Sequence, residues 1–385
     1  MSTAAVQERV RKHVVPAGFE CATAAAPLRI VGSGTWLDAG RPVHDAETLS
    51  VAGDDADDAI VEYVASDLTL TARAGATLAS IARVTGAEGQ WLALDPFGSA
   101  GGTLGATIAT GSTGPLAHAF GTPRDNVLGL EAVTGTGEIV RAGGRVVKNV
   151  AGFDLTRLFT GAWGTLAVIT EATVRLRARP ERDETIALAL PSGDALDAWL
   201  AKLRALPFSP LALELLNAAL ATALGLGDRP ILLARLGGND DSVREQLRVF
   251  SVLGEMHPAP HATWRSLAEI EPAGAAVARV SAPPSRLHAL WARLANGGDS
   301  SLVHAAVERG IVRCIHSASV DDSAVSIAQW LERIAHTDGT HIFERLPARE
   351  WSRVPARVND PLSRAVRGAF DPHRILNRGI LGDVA

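Results

Sequence analysis

The chain has 385 residues, too many for one ordinary domain and enough for about two or three. Its 47% hydrophobic and 21% charged residues fit a globular protein with a real core, and a formal net charge of −5 excludes the basic field that nucleic-acid binding needs. Two cysteines, Cys21 and Cys314, exclude a disulfide framework and a self-contained iron–sulfur cluster, and they point to a reducing cytoplasm.

The opening MSTAAVQERVRKHVV is charged throughout and has no apolar signal-peptide core, so no leader is expected. APLRIVGSG reads as a short strand running into a glycine loop, and TLSVAG as a second strand. DDADDAIVEYVAS has acidic residues where a helix N-terminus favours them, which predicts a helix carrying Tyr63, the only tyrosine. LTLTARAG alternates with period two and predicts a strand. TLASIARVTG predicts a helix capped by Thr77 and stopped at Gly86. The tract from Asp95 to Pro115 is dense in glycine and small residues and carries no charge after Asp95. VLGLEAVTGTGEIVRAGG predicts a β-hairpin turning at Gly135–Gly137. KNVAGFDLTRLFTGAWGTLAVITEATVRL changes halfway from helix to an alternating strand, with Gly161, Trp163 and Gly164 at the change.

Composition shifts near Arg179–Thr185, where a domain boundary is expected. Strands and amphipathic helices then alternate to about Leu346, with clear helices in ALDAWLAKLRAL and DSVREQLRVFSVLG. PLALELLNAALATALGLG is the most apolar stretch. Glu214 and Asn217 interrupt it, and its length predicts a buried or amphipathic helix rather than a membrane span. The tail predicts a helix ended near Phe370 by Asp371-Pro372. The expected division is residues 1–180, 181–346 and 347–385, in an α+β fold.

Several chemistries are missing. Gly32-Ser33-Gly34 lacks the third glycine and the acidic partner of the dinucleotide fingerprint. There is no Gly-Lys-Ser/Thr, and Gly111-Ser112-Thr113-Gly114 is one residue away from a nucleophile elbow. Pro258 and Pro260 break the helix that would align His257 with His261 on a metal, so no metal is expected. Three glycine-rich loops remain: Val31–Thr35, Pro96–Gly114 and Gly161–Thr165. Each alone is a turn. Together, with an uncharged tract, they suit a buried diphosphate, because loops of small residues present N–H groups to an anion and admit main chain close to a ligand.

From Leu28 to Leu176 the sequence resembles the FAD-binding module of the vanillyl-alcohol oxidase and p-cresol methylhydroxylase (PCMH) family. IVGSGT resembles its first pyrophosphate loop, PFGSAGGTLGATIATGSTGP its second, and FGTPRDNVLGLEAVTGTGEIV the hairpin that follows. The Lys148–Leu155 run, VARVSAPPSRL and AFDPHRILNRGIL resemble the FAD-binding E subunit of bacterial glycolate oxidase. The resemblance implies a two-subdomain FAD domain, an α/β cap over 181–346, and a C-terminal segment returning to the FAD side. It implies cofactor contacts from Val31, Gly32, Ser33, Gly34 and Thr35. In the second loop it implies contacts from Pro96, Gly101, Gly102, Thr103, Leu104, Gly105, Ala106, Gly111, Ser112 and Thr113. Arg124, Lys148, Gly164, Thr165, Ile169 and Asn377 complete the set, with main chain near Ile169 bonded to the flavin edge.

Thr35 stands where many relatives carry a linking histidine, so FAD is expected to be held non-covalently. VHAAVERGIVRCIH keeps His304 and His316 but not the His-x-Gly-Asp-Gly-Asn-x-His metal stretch of catalytic relatives. Arg279, His304 and His341 are the candidates for holding or deprotonating a hydroxy acid. The implied function is an FAD-binding subunit of a complex oxidising glycolate, D-lactate or a similar small 2-hydroxy acid. Its partners would be a second flavin subunit and an iron–sulfur subunit, reaching the inner face of the membrane only through them. A stand-alone FAD-dependent oxidase or dehydrogenase and a non-catalytic assembly subunit are the alternatives.

Overall fold

The computed structural model describes residues 1–14, 27–53, 59–144, 153–193, 195–295, 301–317, 324–356 and 358–382. They divide into two compact units. The first comprises Met1–Thr113, Gly121–Arg179 and Ala348–Ala385, the second Gly114–Phe120 and Pro180–Pro347.

The first unit starts with helix α1 (Thr3–His13). Ser2 caps it by accepting the Ala5 N–H, and Arg11, Lys12 and His13 suit the negative end of its dipole. One face buries Val6 and Val10, four residues apart. Strands β1 (Leu28–Val31) and β2 (Glu47–Ser50) form a parallel pair. Strands β3 (Ile60–Val64) and β4 (Thr69–Arg73) follow, then helix α2 (Leu78–Gly86), whose cap Thr77 accepts the Ser80 N–H at 3.0 Å. After β5 (Gln90–Trp91) comes α3 (Leu104–Thr110), capped by Thr103. Helix α4 (Ala117–Phe120) belongs to the second unit. The first unit resumes with α5 (Pro123–Asn126), β6 (Val127–Thr134), β7 (Ile139–Gly143), α6 (Leu155–Phe159), β8 (Ala167–Arg175) and β9 (Arg177–Ala178). An antiparallel sheet of order β3-β4-β8-β6-β7 carries the core, in which Leu70, Val168 and Val174 meet Ile81, Leu104 and Ile108.

In the second unit β10 (Arg182–Ala189), α7 (Ala195–Arg204), β11 (Ala212–Leu216), α8 (Ala218–Ala223), β12 (Ile231–Gly238), α9 (Asp240–Phe250), β13 (Met256–Pro258) and α10 (Thr263–Ala268) come first. Then come β14 (Ala276–Ser281), α11 (Leu287–Ala295), β15 (Leu302–Ala306), β16 (Ile311–His316), α12 (Ala324–Ala335) and β17 (Thr340–Arg345). The strands form one antiparallel eight-stranded sheet of order β13-β10-β12-β11-β15-β16-β14-β17. Helix α13 (Pro361–Phe370) returns to the first unit.

One expected helix is a strand, and another is a strand in its first part and a helix in its second. Ile60–Val64 pairs with β4, and Tyr63 donates its hydroxyl proton to Gln90 from a strand, not from a helix. The β-branched Ile60, Val61 and Val64 outweigh the acidic start that suggested a helix. In the leucine-rich stretch, Ala212–Leu216 is a central strand with every residue buried, and helix begins only after Asn217, which accepts the Leu220 N–H. Burial on both faces removes the alternation by which a strand is recognised.

His118, on α4, supplies a test of burial. Burial lowers its imidazole from the ordinary 6.5 to about 4, so it is neutral in the folded chain at pH 7. As pH falls, the unfolded chain takes up this proton first. The stability it supports is therefore full above pH 6.5 and is lost progressively down to about pH 4. His118→Gln should flatten that loss by roughly 2–3 kcal/mol in denaturant unfolding followed against pH. An unchanged slope would show that the ring titrates as it does in water.

Candidate functional site

The first unit contains an open cleft of the concave kind that holds small molecules. Its floor is the loop leaving β1, where Val31, Gly32, Ser33, Gly34 and Thr35 all line it. Gly105 and Ala106 of α3, Gly164, Ile169 of β8 and Asn377 also line it. Ten of the residues expected at a cofactor thus come together.

Ten others lie outside the lining: Pro96, Gly101, Gly102, Thr103, Leu104, Gly111, Ser112, Thr113, Arg124 and Thr165. Several of them shape it from behind. Thr103 is buried and its hydroxyl accepts the Ala106 N–H, which fixes the start of α3. Gly101 offers its carbonyl to the Ser33 hydroxyl at 2.5 Å, tying the second loop to the first. Arg124 donates to the Thr160 carbonyl, and Thr165 donates its hydroxyl proton to the Ala162 carbonyl at 2.7 Å. Lys148 lies outside the described residues.

The glycines have a more specific reason than ligand approach. A Cβ on Gly32 would stand 2.3 Å from Thr103 Oγ1, and one on Gly105 would stand 2.5 Å from the Ala74 Cβ. Gly111, with φ +64°, would press a Cβ to 3.2 Å from the Gly161 Cα. Here glycine lets loops approach one another.

What the cleft offers a ligand is main chain and one cation. Among the described residues, the N–H groups of Gly32, Ser33, Gly34 and Thr35 have no hydrogen-bond partner. Arg29 is the single charged side chain in the lining. Burial holds its guanidinium below the ordinary arginine range, Nη2 donates to the Leu37 carbonyl at 3.3 Å, and the buried Nη1 has no partner. Sequence reasoning missed Arg29. The signal available was a lone arginine three residues ahead of a glycine loop. The opposite wall is apolar. Pairing between β4 and β8 stops at Arg73 and Glu171, and the Ala74 N–H to Thr170 carbonyl bond is its last extension. Ala167 and Ile169, beyond that point, line the cleft. Trp163 also lines it, and its ring edge lies beside Gly40. A diphosphate-bearing flat cofactor fits this set: free N–H groups and a cation at one end, an apolar wall with an open strand edge at the other.

The three candidates for the hydroxy acid belong to the second unit. The facing register His304–Arg313–Arg279 puts β15, β16 and β14 residues in one row on one face of the sheet. His341 faces Val280, so it is on the other face, edge-on to Phe343 with ring centroids 5.6 Å apart. His304 is buried with Nδ1 2.8 Å from Glu214 Oε2. Arg279 Nε stands 3.5 Å from Glu344 Oε1. Arg313 lies between them, bound to Glu271 and Glu344 at 2.6 Å each. Burial alone would lower Arg313, but the two carboxylates outweigh burial and raise it. His257 and His261 do not converge: His261 sits 3.7 Å from Asp183, while His257 is exposed 3.9 Å from Glu255. Among the described residues no group of three or more metal-ligating side chains occurs.

A family model described as FAD binding domain matches residues 10–143. Over 244 residues the chain is 35% identical to glycolate oxidase subunit GlcE of Escherichia coli, covering 60% of this chain and 67% of that protein. It is 36% identical over 158 residues to glycolate oxidase subunit GlcD of Bacillus subtilis, covering 41% of this chain and 34% of the relative. It is 34% identical over 176 residues to a mitochondrial cytochrome-type D-lactate dehydrogenase of Arabidopsis thaliana, covering 44% and 30%. The chain thus spans about a third of the length of the last two relatives. A solved structure of alkyldihydroxyacetonephosphate synthase shares the fold, with TM-score 0.70 over 98% of this chain and 74% of that one, at 16% identity.

Gly105 tests the cleft. FAD at about one hundred times its dissociation constant should stabilise the native chain by roughly 2.7 kcal/mol. Gly105→Asp should lower the melting temperature without ligand, through the collision with Ala74, and should also abolish the rise on adding FAD. A variant that keeps the full rise would place FAD elsewhere.

Proposed function

The chain belongs to the PCMH-type FAD-binding family of oxidoreductases, and from that premise we propose that it is the FAD-holding subunit of a complex oxidising a small 2-hydroxy acid of the glycolate or D-lactate type. The observation that supports this best is the cleft itself, with unpaired N–H groups at Gly32–Thr35 beside Arg29 and an apolar wall at Ala167 and Ile169. The GlcE relative, of which the chain covers 67%, supports the subunit reading.

In this reading the Gly32–Thr35 N–H groups and Arg29 hold the diphosphate by hydrogen bonds and charge. Main chain at Ala167–Ile169 flanks the ring, and Trp163 closes the wall and excludes water. Bound FAD supplies a two-electron acceptor for the hydride of the 2-hydroxy carbon. Thr35 cannot form the linkage a histidine forms, so the cofactor is held without a covalent bond. Acid precipitation should leave the yellow colour in the supernatant. Colour retained in the pellet, and on a peptide after digestion, would overturn this.

Two cysteines cannot hold a cluster, so electrons leave through partner subunits that carry a second flavin or iron–sulfur centres. We assign the chain to the cytoplasm, at the inner face of the membrane only through those partners. Among the described residues no helix is long and apolar enough to cross a membrane. The buried His304–Glu214 pair favours a second reading, a stand-alone oxidoreductase in which a carboxylate orients a histidine. The FAD-loaded chain, given glycolate or D-lactate with a dye acceptor, separates the two. The subunit reading expects no sustained reduction by this chain alone. Turnover at ordinary enzyme rates, about 1–1000 per second, would establish the stand-alone oxidoreductase.

A further inference from the structure

We propose that Asn377 is a positioning residue that ties the two walls of the cleft together, so that the C-terminal tail is a clasp on the cofactor. The inference rests on the reading of the cleft as the FAD site. The tail is built for it. The Asp371 side chain is fully buried and accepts the N–H groups of Ile375 and Leu376, each at 3.0 Å. Arg367 donates to the Leu376 carbonyl at 3.0 Å and stands 3.6 Å from Asp371. This closes residues 371–376 into one fixed loop. The loop then lies against β1 as a short parallel neighbour: the Leu28 N–H donates to the Ile375 carbonyl at 2.6 Å, and the Asn377 N–H donates to the Leu28 carbonyl at 2.9 Å.

That placement sends the Asn377 side chain between two loops. Oδ1 accepts the Ile30 N–H at 2.8 Å, just ahead of the Val31–Thr35 loop. Nδ2 donates to the Trp163 carbonyl at 2.8 Å, on the opposite wall. A side-chain amide offers an acceptor and a donor at once. A carboxylate would meet the Trp163 carbonyl with like charge, and an apolar side chain would satisfy neither group. Asn377 itself has φ +42°, a left-handed conformation that asparagine tolerates better than other side chains do. Gly164 leaves the space, since a Cβ there would stand 2.8 Å from Asn377 Nδ2.

Trp163 shows what the bridge restrains. Its φ is +57°, unfavourable for a bulky residue, and such strain persists only where the surroundings over-determine it. Its N–H is fixed by the Ala109 carbonyl at 2.7 Å, and its own carbonyl is fixed by Asn377. Removing the amide frees one end of a strained residue that lines the cleft, and it also leaves the Ile30 N–H without its acceptor.

The test titrates FAD into wild-type protein, Asn377→Ala and Asn377→Asp by flavin fluorescence, with the melting temperature of each cofactor-free protein measured alongside. Both variants should raise the FAD dissociation constant, Asn377→Ala by about 10–100-fold. Asn377→Asp should not restore affinity, because it keeps the acceptor for Ile30 and loses the donor to Trp163. Amide hydrogen exchange on the wild type needs no variant to fold. FAD should slow exchange across residues 371–380, since a tail that favours FAD must be favoured by it to the same degree. Wild-type affinity in both variants, or tail exchange indifferent to bound FAD, would overturn the clasp while leaving the FAD site intact. A wild-type chain that binds no FAD would overturn the reading of the cleft, and the clasp with it.

Discussion

The cleft depends on segments that pack too closely to admit a Cβ between them. Gly32 lies against the cap residue of α3, Gly105 against Ala74, and Gly111 against Gly161, each at a distance where a Cβ would collide or crowd. Once the loops are locked against one another, the N–H groups that would ordinarily pair locally are already committed. Leu104 donates to the Ala76 carbonyl and Gly105 to the Ala74 carbonyl. The first loop has no such partners, so Gly32–Thr35 keep their donors for something else. Those residues line the open cleft, where solvent or a ligand can accept from them.

What was legible in the sequence was local. The hairpin at Thr134–Glu138 closes as its glycines indicate, with the Gly137 N–H on the Thr134 carbonyl. Thr77 caps α2, and the change from helix to strand between Phe159 and Ala167 falls where the glycines fall. The misread stretches are those whose partners are distant. Ile60–Val64 becomes a strand because β4 is beside it, and Ala212–Leu216 because β12 and β15 flank it on both sides. The same holds at the site. The first loop reads as a glycine loop from its own residues and lines the cleft, whereas Thr103 and Gly111 lie outside the lining. The partners of the Asn377 amide are 347 and 214 positions away in sequence, and no spacing rule reaches that far.

The second unit illustrates how hard it is to assign chemistry to a buried polar residue. Asp183 with Arg235, Glu214 with His304, and Glu271 and Glu344 with Arg313 form a chain of pairs across the sheet. Strand registers put His304, Arg313 and Arg279 in one row. Buried pairs of this kind add little net stability over apolar packing, yet losing one partner costs about 3–5 kcal/mol because a charge is stranded. Losing a buried member therefore destabilises the fold. Loss of activity on replacing His304 or Arg279 would not by itself distinguish a substrate contact from a broken pair. His341 is on the other face of the sheet, edge-on to Phe343.

Strain and rigidity are connected at the cleft. Trp163 and Asn377 both occupy left-handed backbone conformations, each a cost of about 1–3 kcal/mol for a residue with a side chain. That cost is met within the fold, by bonds to Ala109, Leu28 and Ile30 formed by the protein alone. A wall held in this way has already lost its conformational freedom before any ligand arrives. The entropy of ordering it is charged to folding and not to binding. A looser wall would be more stable in isolation and would have to be ordered by the ligand itself. The long connection from residue 377 back to residues 30 and 163 is what permits the strained arrangement to be the resting one, because a loop bonded only to its neighbours could relax without breaking anything distant.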